Sequence, residues 1–324
     1  MPTEEANMTE LHDIIKRSRR LAKTSRARYL RDIDQWITFA GEDPTNWTRP
    51  RAQDFYDHLL DIRKLRPQSA NRVLASLQYA SKWRAHYQNK PELDFAFVEK
   101  AIARDFNEKH ALDRDAITRL LAPLNGTTPT DLRDFAIFVV LLETGMRRMS
   151  LISMSIDRTL IDAEQLAATK LLYPMAWVKM KGGGDKDVAI PLSDTAIAAI
   201  KPWRAWLASH GITKGPMFRG LDSRMGPRGP ISTAATTALH LNAINRMVDR
   251  RAAAAGIGHV YPHQFRHTFI TWRAAAGLQP YEIASITGHA IAGLGALGDY
   301  IDRAVVAQKV RNSTPEWLRE LVLK

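Results

Sequence analysis

"YPHQFRHTFIT", residues 261–271, places two of the ten histidines of this chain around an arginine in a short apolar segment. If the segment is helical, His263, Arg266 and His267 stand at positions i, i+3 and i+4 and share one face. Donor groups on one face, beside apolar side chains, are suited to hold an anion at the edge of a core. A surface helix with a few polar residues is the alternative that this window leaves open.

Composition limits the class of protein. The 324 residues, 45% hydrophobic and 25% charged, are typical of a folded chain of one large domain or two. Apolar runs stay shorter than the roughly 18 residues that span a bilayer, and the polar N-terminus is unlike a secretory signal. The absence of cysteine excludes disulfides, thiolate metal sites and a cysteine nucleophile. We therefore expect a cytoplasmic protein without a membrane partner.

The charge of the chain is its most informative bulk property. The net charge of +12 favours a polyanionic partner, most often nucleic acid, although solubility alone is a competing explanation. Residues 16–31 contain eight basic residues and no acidic one, a run that is either a solvated face or a surface for a phosphate backbone. The candidates for DNA-backbone contact are Lys16, Arg17, Arg19, Arg20, Lys23, Arg26 and Arg28.

The first hundred residues have the apolar period of helices. The pattern predicts helices over 24–41, 49–63 and 67–88, with Ser25 as an N-cap and Gly41 as a stop. Prolines fall between these segments or in their first turn. The prediction is a helical, DNA-binding domain over 1–102 and a linker over 103–112.

The remainder, 113–324, is predicted to be a mainly α domain with one small antiparallel sheet. Strands are expected over 171–180 and 187–192, joined by the turn "KGGGDK". The predicted helices cover 129–145, 193–209, 233–255, 262–276, 279–287 and a tail helix over 314–323. Whether the tail helix docks on its own domain or on a neighbouring protomer is left open.

Four short motifs carry a resemblance to a known family. In chain order they are "ETGMRRMSL" (143–151), "HQFRHT" (263–268), "TGH" (287–289) and "DYID" (299–302). These motifs, and the helices before residue 102, resemble the tyrosine recombinase (phage integrase) family in its simple two-domain form. The resemblance implies a core-binding helical bundle followed by a catalytic domain with the DNA breaking-rejoining fold.

The resemblance also implies a role for each matching residue. Tyr300 would be the nucleophile, and Arg147 and Arg266 would clamp the phosphate, for which planar, permanently charged guanidinium groups are suited. His263 would relay a proton and His289 would donate a hydrogen bond to a phosphate oxygen. Arg148 remains the alternative to the first arginine.

Two further side chains are assigned in the same way. Lys181, in the predicted hairpin, would be the general acid for the leaving 5′-oxygen, with Lys179 as the alternative. His267 would support the site without contacting the phosphate. The chain departs from the family pattern at Ser150, where an acidic residue is common, and in a glycine-rich segment between His289 and Tyr300 that we hypothesise to be mobile.

Neither a cofactor nor a metal is expected. A phosphotyrosyl ester keeps the energy of the cleaved bond, so strand transfer needs no ATP. The sequence has no P-loop and no HExxH, and a zinc site built from its histidines would lack an acidic partner. The arginines are expected to take the place of a metal.

The function implied by the resemblance is site-specific recombination of double-stranded DNA. It implies a homotetramer on two DNA sites, a 3′-phosphotyrosyl intermediate, a Holliday junction and a location at the nucleoid. Accessory DNA-bending proteins would be compatible with it and are not identified by the sequence. The alternatives are a type IB-like topoisomerase and a DNA-binding relative that has lost catalysis.

Overall fold

The computed structural model describes residues 10–41, 47–89, 92, 95, 97–102, 110–124, 128–179, 187–226, 229–287 and 303–323. The chain divides into two compact units, Met1–Glu108 and Lys109–Lys324. The division falls within 103–112, and the independence of the two units as domains stays a prediction. Each unit has its own hydrophobic core.

The N-terminal unit is helical throughout its regular structure. Its described helices are α1 (Glu10–Arg17), α2 (Lys23–Ala40), α3 (Arg49–Asp61) and α4 (Pro67–Gln88). The fully buried Trp36 lies at the centre of the core, and its ring meets those of Phe55 and Phe95 edge to face at 5.3 and 5.1 Å. Aromatic pairs in this geometry add to the stability that burial itself provides.

Helix α4 has the predicted bounds, whereas the predicted start of α2 is wrong. Helix α2 begins two residues before Ser25, and its N-cap is Ala22, which makes no side-chain capping bond. Ser25 therefore lies inside the first turn. The basic run 16–31 is also divided, because α1 ends at Arg17 and a turn separates it from α2.

The C-terminal unit is mostly helical. Its described helices are α5 (Arg114–Leu121), α6 (Pro129–Thr144), α7 (Arg148–Ser153), α8 (Ala163–Thr169), α9 (Asp194–Ser209), α10 (Leu241–Ala254), α11 (Pro262–Ala275), α12 (Pro280–Thr287), α13 (Arg303–Asn312) and α14 (Glu316–Leu323). Helix α6 is buried along nearly its whole length and packs against α9 and α11. Its run of apolar residues lacks a polar face because other elements cover it.

Two small antiparallel sheets complete this unit. Strands β1 (Thr159–Leu160), β2 (Met175–Lys179) and β3 (Asp187–Pro191) form one sheet in the order β1-β2-β3, with Lys179 opposite Asp187. Strands β4 (Arg219–Gly226) and β5 (Gly229–Ala238) form a separate hairpin. The mainly α fold class with a small antiparallel sheet is confirmed, with a second sheet that the sequence did not predict.

The predicted helix 233–255 is wrong in its first third. Residues up to Ala238 belong to β5, and α10 starts only at Leu241, where the His240 ring accepts a hydrogen bond from the backbone of Asn242 at 3.2 Å. The segment "STAATTA" mixes alanine with β-branched threonine, so its local preference is weak. Pairing with β4 in the hairpin, which extends outside this segment, determines its conformation.

The tail helix α14 packs on its own unit. Leu318 is fully buried in the core of the C-terminal unit, and the Trp317 ring meets that of Trp272 edge to face at 5.4 Å. In the single chain, α14 therefore packs on its own unit, and docking on a neighbouring protomer stays a prediction. No helix among the described residues is both long enough and apolar enough to cross a bilayer.

Gly145, which follows α6, allows α6 and α11 to approach closely. Its φ of 58° lies in the left-handed region, and a Cβ at this position would lie 2.8 Å from Cγ of Phe269 on α11. A residue with a side chain would have to be strained and would also have to displace the ring.

We expect Gly145→Ala to lower the free energy of unfolding by about 2–4 kcal/mol, combining left-handed strain with overpacking. Gly256→Ala is the matched control, because Gly256 has a similar φ of 64° and nothing within 4 Å of its added Cβ. Gly256→Ala should lower the free energy of unfolding by only about 1 kcal/mol. Denaturant unfolding of both variants measures the difference, and equal losses would contradict the close contact.

Candidate active site

Two arginines that the sequence separates by more than a hundred residues meet in the C-terminal unit. Arg147 lies at the N-cap of α7, and Arg266 lies on α11. The carbonyl oxygen of Thr287 accepts hydrogen bonds from both, at 3.4 Å from Arg147 Nη1 and 2.8 Å from Arg266 Nη2. The structure thus brings together the two residues that were predicted to clamp one phosphate.

Both guanidinium groups are held by the carboxyl ends of helices. Thr287 is the last residue of α12, and Gly145, whose carbonyl accepts from Arg266 Nη1 at 2.8 Å, directly follows α6. The last carbonyls of a helix have no partner inside it and carry a partial negative charge. The two positive side chains are therefore fixed by backbone oxygens, which leaves the charge of the pair available to an anion.

Burial of Arg266 makes its positive charge energetically unfavourable. The Arg266 side chain is only 2% exposed. Burial, and secondarily the charge of Arg147, lower the pKa of Arg266 to about 10. The group is still protonated at neutral pH, and its Nε is buried with no hydrogen-bond partner among the described residues. An anion that contacts both guanidinium groups would relieve this cost.

Arg148, the alternative to Arg147, has a different environment. Its Nη1 donates a short hydrogen bond to the side chain of Asn245 on α10. Arg148 therefore links α7 to α10, while Arg147 turns toward the end of α12. The geometry favours Arg147 as the member of the arginine pair.

The histidines of α11 lie beside Arg266 and differ from it in exposure. His263 is exposed and His267 is half-buried, and their rings stand perpendicular with centroids 5.3 Å apart. An exposed imidazole on the first turn can exchange protons with a ligand or with water. Within the described ranges, no group of three His, Asp or Glu side chains could hold a metal ion.

Ser150 occupies the position where the family pattern has an acidic residue. Its Oγ donates to the carbonyl of Lys179 at 2.8 Å, and the Lys179 N–H donates to Ser153 Oγ at 2.9 Å. Both backbone groups at the end of β2 are therefore held by α7, the helix that Arg147 caps. This fixes the strand that leads into the predicted lysine hairpin.

Three of the predicted site residues, Lys181, His289 and Tyr300, lie outside the described residues. Their roles stay predictions, as does the proposed mobility of the segment between His289 and Tyr300. Lys179, the alternative to Lys181, is exposed at the end of β2.

The basic residues predicted to contact DNA belong to the N-terminal unit. All are exposed except Arg26, which is half-buried and donates to the carbonyl of Lys16 at 3.2 Å. Near them, α1, the following turn and α4 line a cavity of about 610 Å³. Arg20 lies over the ring of Trp83 there, 4.8 Å from its centroid. Arg26 thus has a structural contact, and the exposed members present their charge to solvent.

The sequence reasoning missed a buried ion pair next to the arginine pair. Glu143 and Arg273 are both fully or almost fully buried, and Arg273 Nη2 lies 3.1 Å from Glu143 Oε2. The signal was present, because Glu143 ends an apolar run and Arg273 continues the buried period of Phe265 and Phe269 on α11. Two opposite charges on two buried faces indicate a contact between the helices.

Comparison with known proteins identifies the family of the chain. Residues 110–293 match the model of the phage integrase family, which is more than half of the chain. The tyrosine recombinase XerC of Corynebacterium glutamicum is 26% identical over 253 residues, covering 76% of this chain and 72% of the relative.

Solved structures share the fold. A XerH site-specific recombinase bound to a palindromic difH substrate has a TM-score of 0.62 at 14% identity, covering 92% of this chain and 82% of that one. A lambda integrase tetramer bound to a Holliday junction has a TM-score of 0.59 at 14% identity, covering 88% of this chain and 77% of that one. At this identity the likeness shows the fold.

The arginine pair predicts a measurable affinity for inorganic phosphate. At ten times its Kd, phosphate should stabilise the chain by about 1.4 kcal/mol, which raises the Tm of a unit of this size by roughly 3–6 °C over chloride of equal ionic strength. Arg147→Met should remove this increment, and Arg148→Met should keep it. Retention of the increment by Arg147→Met would place the phosphate elsewhere.

Proposed function

The chain belongs to the phage integrase family and is a tyrosine site-specific recombinase, and we propose that it cleaves and rejoins duplex DNA through a 3′-phosphotyrosyl intermediate. The observation that carries the proposal is the meeting of Arg147 and Arg266 at the carbonyl of Thr287. Two guanidinium groups in this arrangement can bind the two non-bridging oxygens of one phosphodiester.

The proposed reaction is a transesterification. The Tyr300 Oη attacks the phosphorus, a bond from phosphorus to the phenol oxygen forms, and the bond to the 5′-oxygen breaks. Negative charge grows on the non-bridging oxygens, where Arg147 and Arg266 stabilise it. Rejoining reverses the step, with a 5′-hydroxyl as the attacking group and the phenol as the leaving group.

Proton transfer accompanies both halves of the reaction. The phenol loses a proton as it attacks, and the exposed His263 on α11 is proposed to accept it. Lys181 is proposed to donate a proton to the leaving 5′-oxygen. The contact of Ser150 and Ser153 with Lys179 supports this role, because it anchors the strand from which the lysine hairpin leaves. His289 is proposed to donate a hydrogen bond to the phosphate.

The proposed substrate assembly is four protomers on two DNA sites that exchange strands through a Holliday junction. The lambda integrase tetramer that shares this fold is bound to such a junction. The exposed basic residues of the N-terminal unit are proposed to contact the DNA backbone. A type IB-like topoisomerase would instead relax a plasmid that has no recombination site, and a relaxation assay separates the two.

Replacing the proposed nucleophile should abolish covalent capture. We expect wild-type protein, incubated with nicked duplexes taken from the DNA that flanks its gene, to form an adduct that survives a denaturing gel. Tyr300→Phe should bind the same duplex with unchanged Kd and form no adduct, because the attacking oxygen is missing.

Tyr281→Phe is the matched control, because Tyr281 is an exposed tyrosine on α12. It should form the adduct at the wild-type rate. An adduct with Tyr300→Phe would refute the nucleophile, and binding without any adduct from wild type would favour a relative that has lost catalysis.

The general acid can be identified with a changed leaving group. A 5′-bridging sulfur leaves as a thiolate, which needs no proton because a thiol is a far stronger acid than an alcohol. Lys181→Ala should slow cleavage of ordinary DNA by about 10²–10⁴-fold and cleave the sulfur substrate at nearly the wild-type rate. Lys179→Ala should cleave both substrates at nearly the wild-type rate. Equal slowing of Lys181→Ala on both substrates would contradict the assignment.

A further inference from the structure

The buried ion pair of Glu143 and Arg273 joins α11, which carries Arg266, to the end of α6, which precedes Arg147 in the chain. Glu143 is the penultimate residue of α6, and Arg273 lies near the end of α11. Their side chains are 1% and 0% exposed. The Arg273 Nη2 donates to Glu143 Oε2 at 3.1 Å and also approaches the Glu143 backbone carbonyl at 3.4 Å.

Helix α11 therefore contacts the end of α6 through two arginine side chains. Arg266 and Arg273 are seven residues apart, which is two turns, or about 10 Å, along one face. Arg266 holds the carbonyl of Gly145, and Arg273 holds Glu143. Two contacts spaced along α11 fix both the position and the orientation of residues 143–145. These residues lead directly to Arg147.

The same carboxylate also holds the junction between α13 and α14. Thr314 Oγ1 donates to Glu143 Oε2, and Arg273 Nη1 donates to the carbonyl of Ser313. Ser193, the N-cap of α9, donates to Oε2 at 2.6 Å. Glu143 thus connects the arginine pair to the chain that follows the proposed nucleophile.

Stability alone does not account for this pair. Two buried charges pay a desolvation cost that their attraction often only offsets, and apolar residues of similar volume are frequently as stable. Burial lowers the pKa of Arg273, and the Glu143 charge opposes that shift. The directional contacts are what a pair of apolar side chains could not supply.

We propose that Glu143 and Arg273 are positioning residues, which set Arg147 against Arg266 through the end of α6 and hold the α13–α14 junction in register with them. Neither residue touches the DNA in this scheme. The inference rests on the proposed function, since its effect is on strand cleavage.

The first test is Glu143→Gln, which keeps the shape and removes the charge. With saturating nicked duplex, we expect the rate of covalent adduct formation in a single turnover to fall at least ten-fold, with the Kd for DNA changed less than two-fold. Thr314→Val, which removes only the hydroxyl at the junction, should slow the adduct in the same direction and unfold near the wild-type temperature.

The matched control is Asp134→Asn. Asp134 is also fully buried on α6 and pairs with Arg133 and Arg251, about 13 Å along the helix from Glu143. It should lower the Tm as Glu143→Gln does and leave the adduct rate of the folded protein unchanged. A ten-fold slower Asp134→Asn would show that lost stability, and not position, controls the rate.

The double variant Glu143→Met/Arg273→Met separates the contribution of the ion pair to stability from its contribution to positioning. An apolar pair should recover the Tm relative to Glu143→Gln, and the adduct rate should stay low because the directional contacts are gone. Recovery of both Tm and rate would overturn the inference, as would a wild-type rate in Glu143→Gln. No adduct from wild type would instead refute the proposed function itself.

Discussion

The site depends on two guanidinium groups held together at the carbonyl of Thr287. Arg147 and Arg266 repel each other, and burial of Arg266 removes the water that would screen the repulsion. The ends of α6 and α12 offset this because the carbonyl oxygens of Gly145 and Thr287 accept hydrogen bonds from the guanidinium groups. Because these acceptors carry only partial charge, the pair is fixed without being neutralised, and a phosphate can supply the missing charge.

The contrast with Arg273 defines what this arrangement achieves. Arg273 lies two turns further along α11 and has a full carboxylate partner in Glu143. Arg266 has only backbone acceptors among the described residues. One helix therefore carries a paired arginine that organises the core and an unneutralised arginine that faces the site. A carboxylate beside Arg266 instead of Arg273 would cancel the charge on which anion binding depends.

Local signals in the sequence were sufficient where local forces decide the structure. Helix α4 has the predicted bounds because its proline start and apolar period are both local. The meeting of Arg147 and Arg266 could be expected only from the resemblance to a family, since no periodicity relates residues so far apart. Strand β5 was missed because its partner β4 outweighs a weak local preference. The apolar patterns mark Glu143 and Arg273 as charges on buried faces, but their pairing needs the packing of α6 on α11, which no single window contains.

Ser150, where the chain departs from the family pattern, contributes a hydrogen bond without contributing a charge. An acidic side chain there would bring a negative charge close to Arg147, three residues away on the same turn. The serine instead donates to the carbonyl of Lys179, so it anchors the lysine strand with a neutral hydrogen bond. This hydrogen bond connects α7 to β2 and adds no negative charge beside the arginine pair. In this chain, Ser150 therefore fixes the position of β2, and Arg147 and Arg266 supply the positive charge of the site.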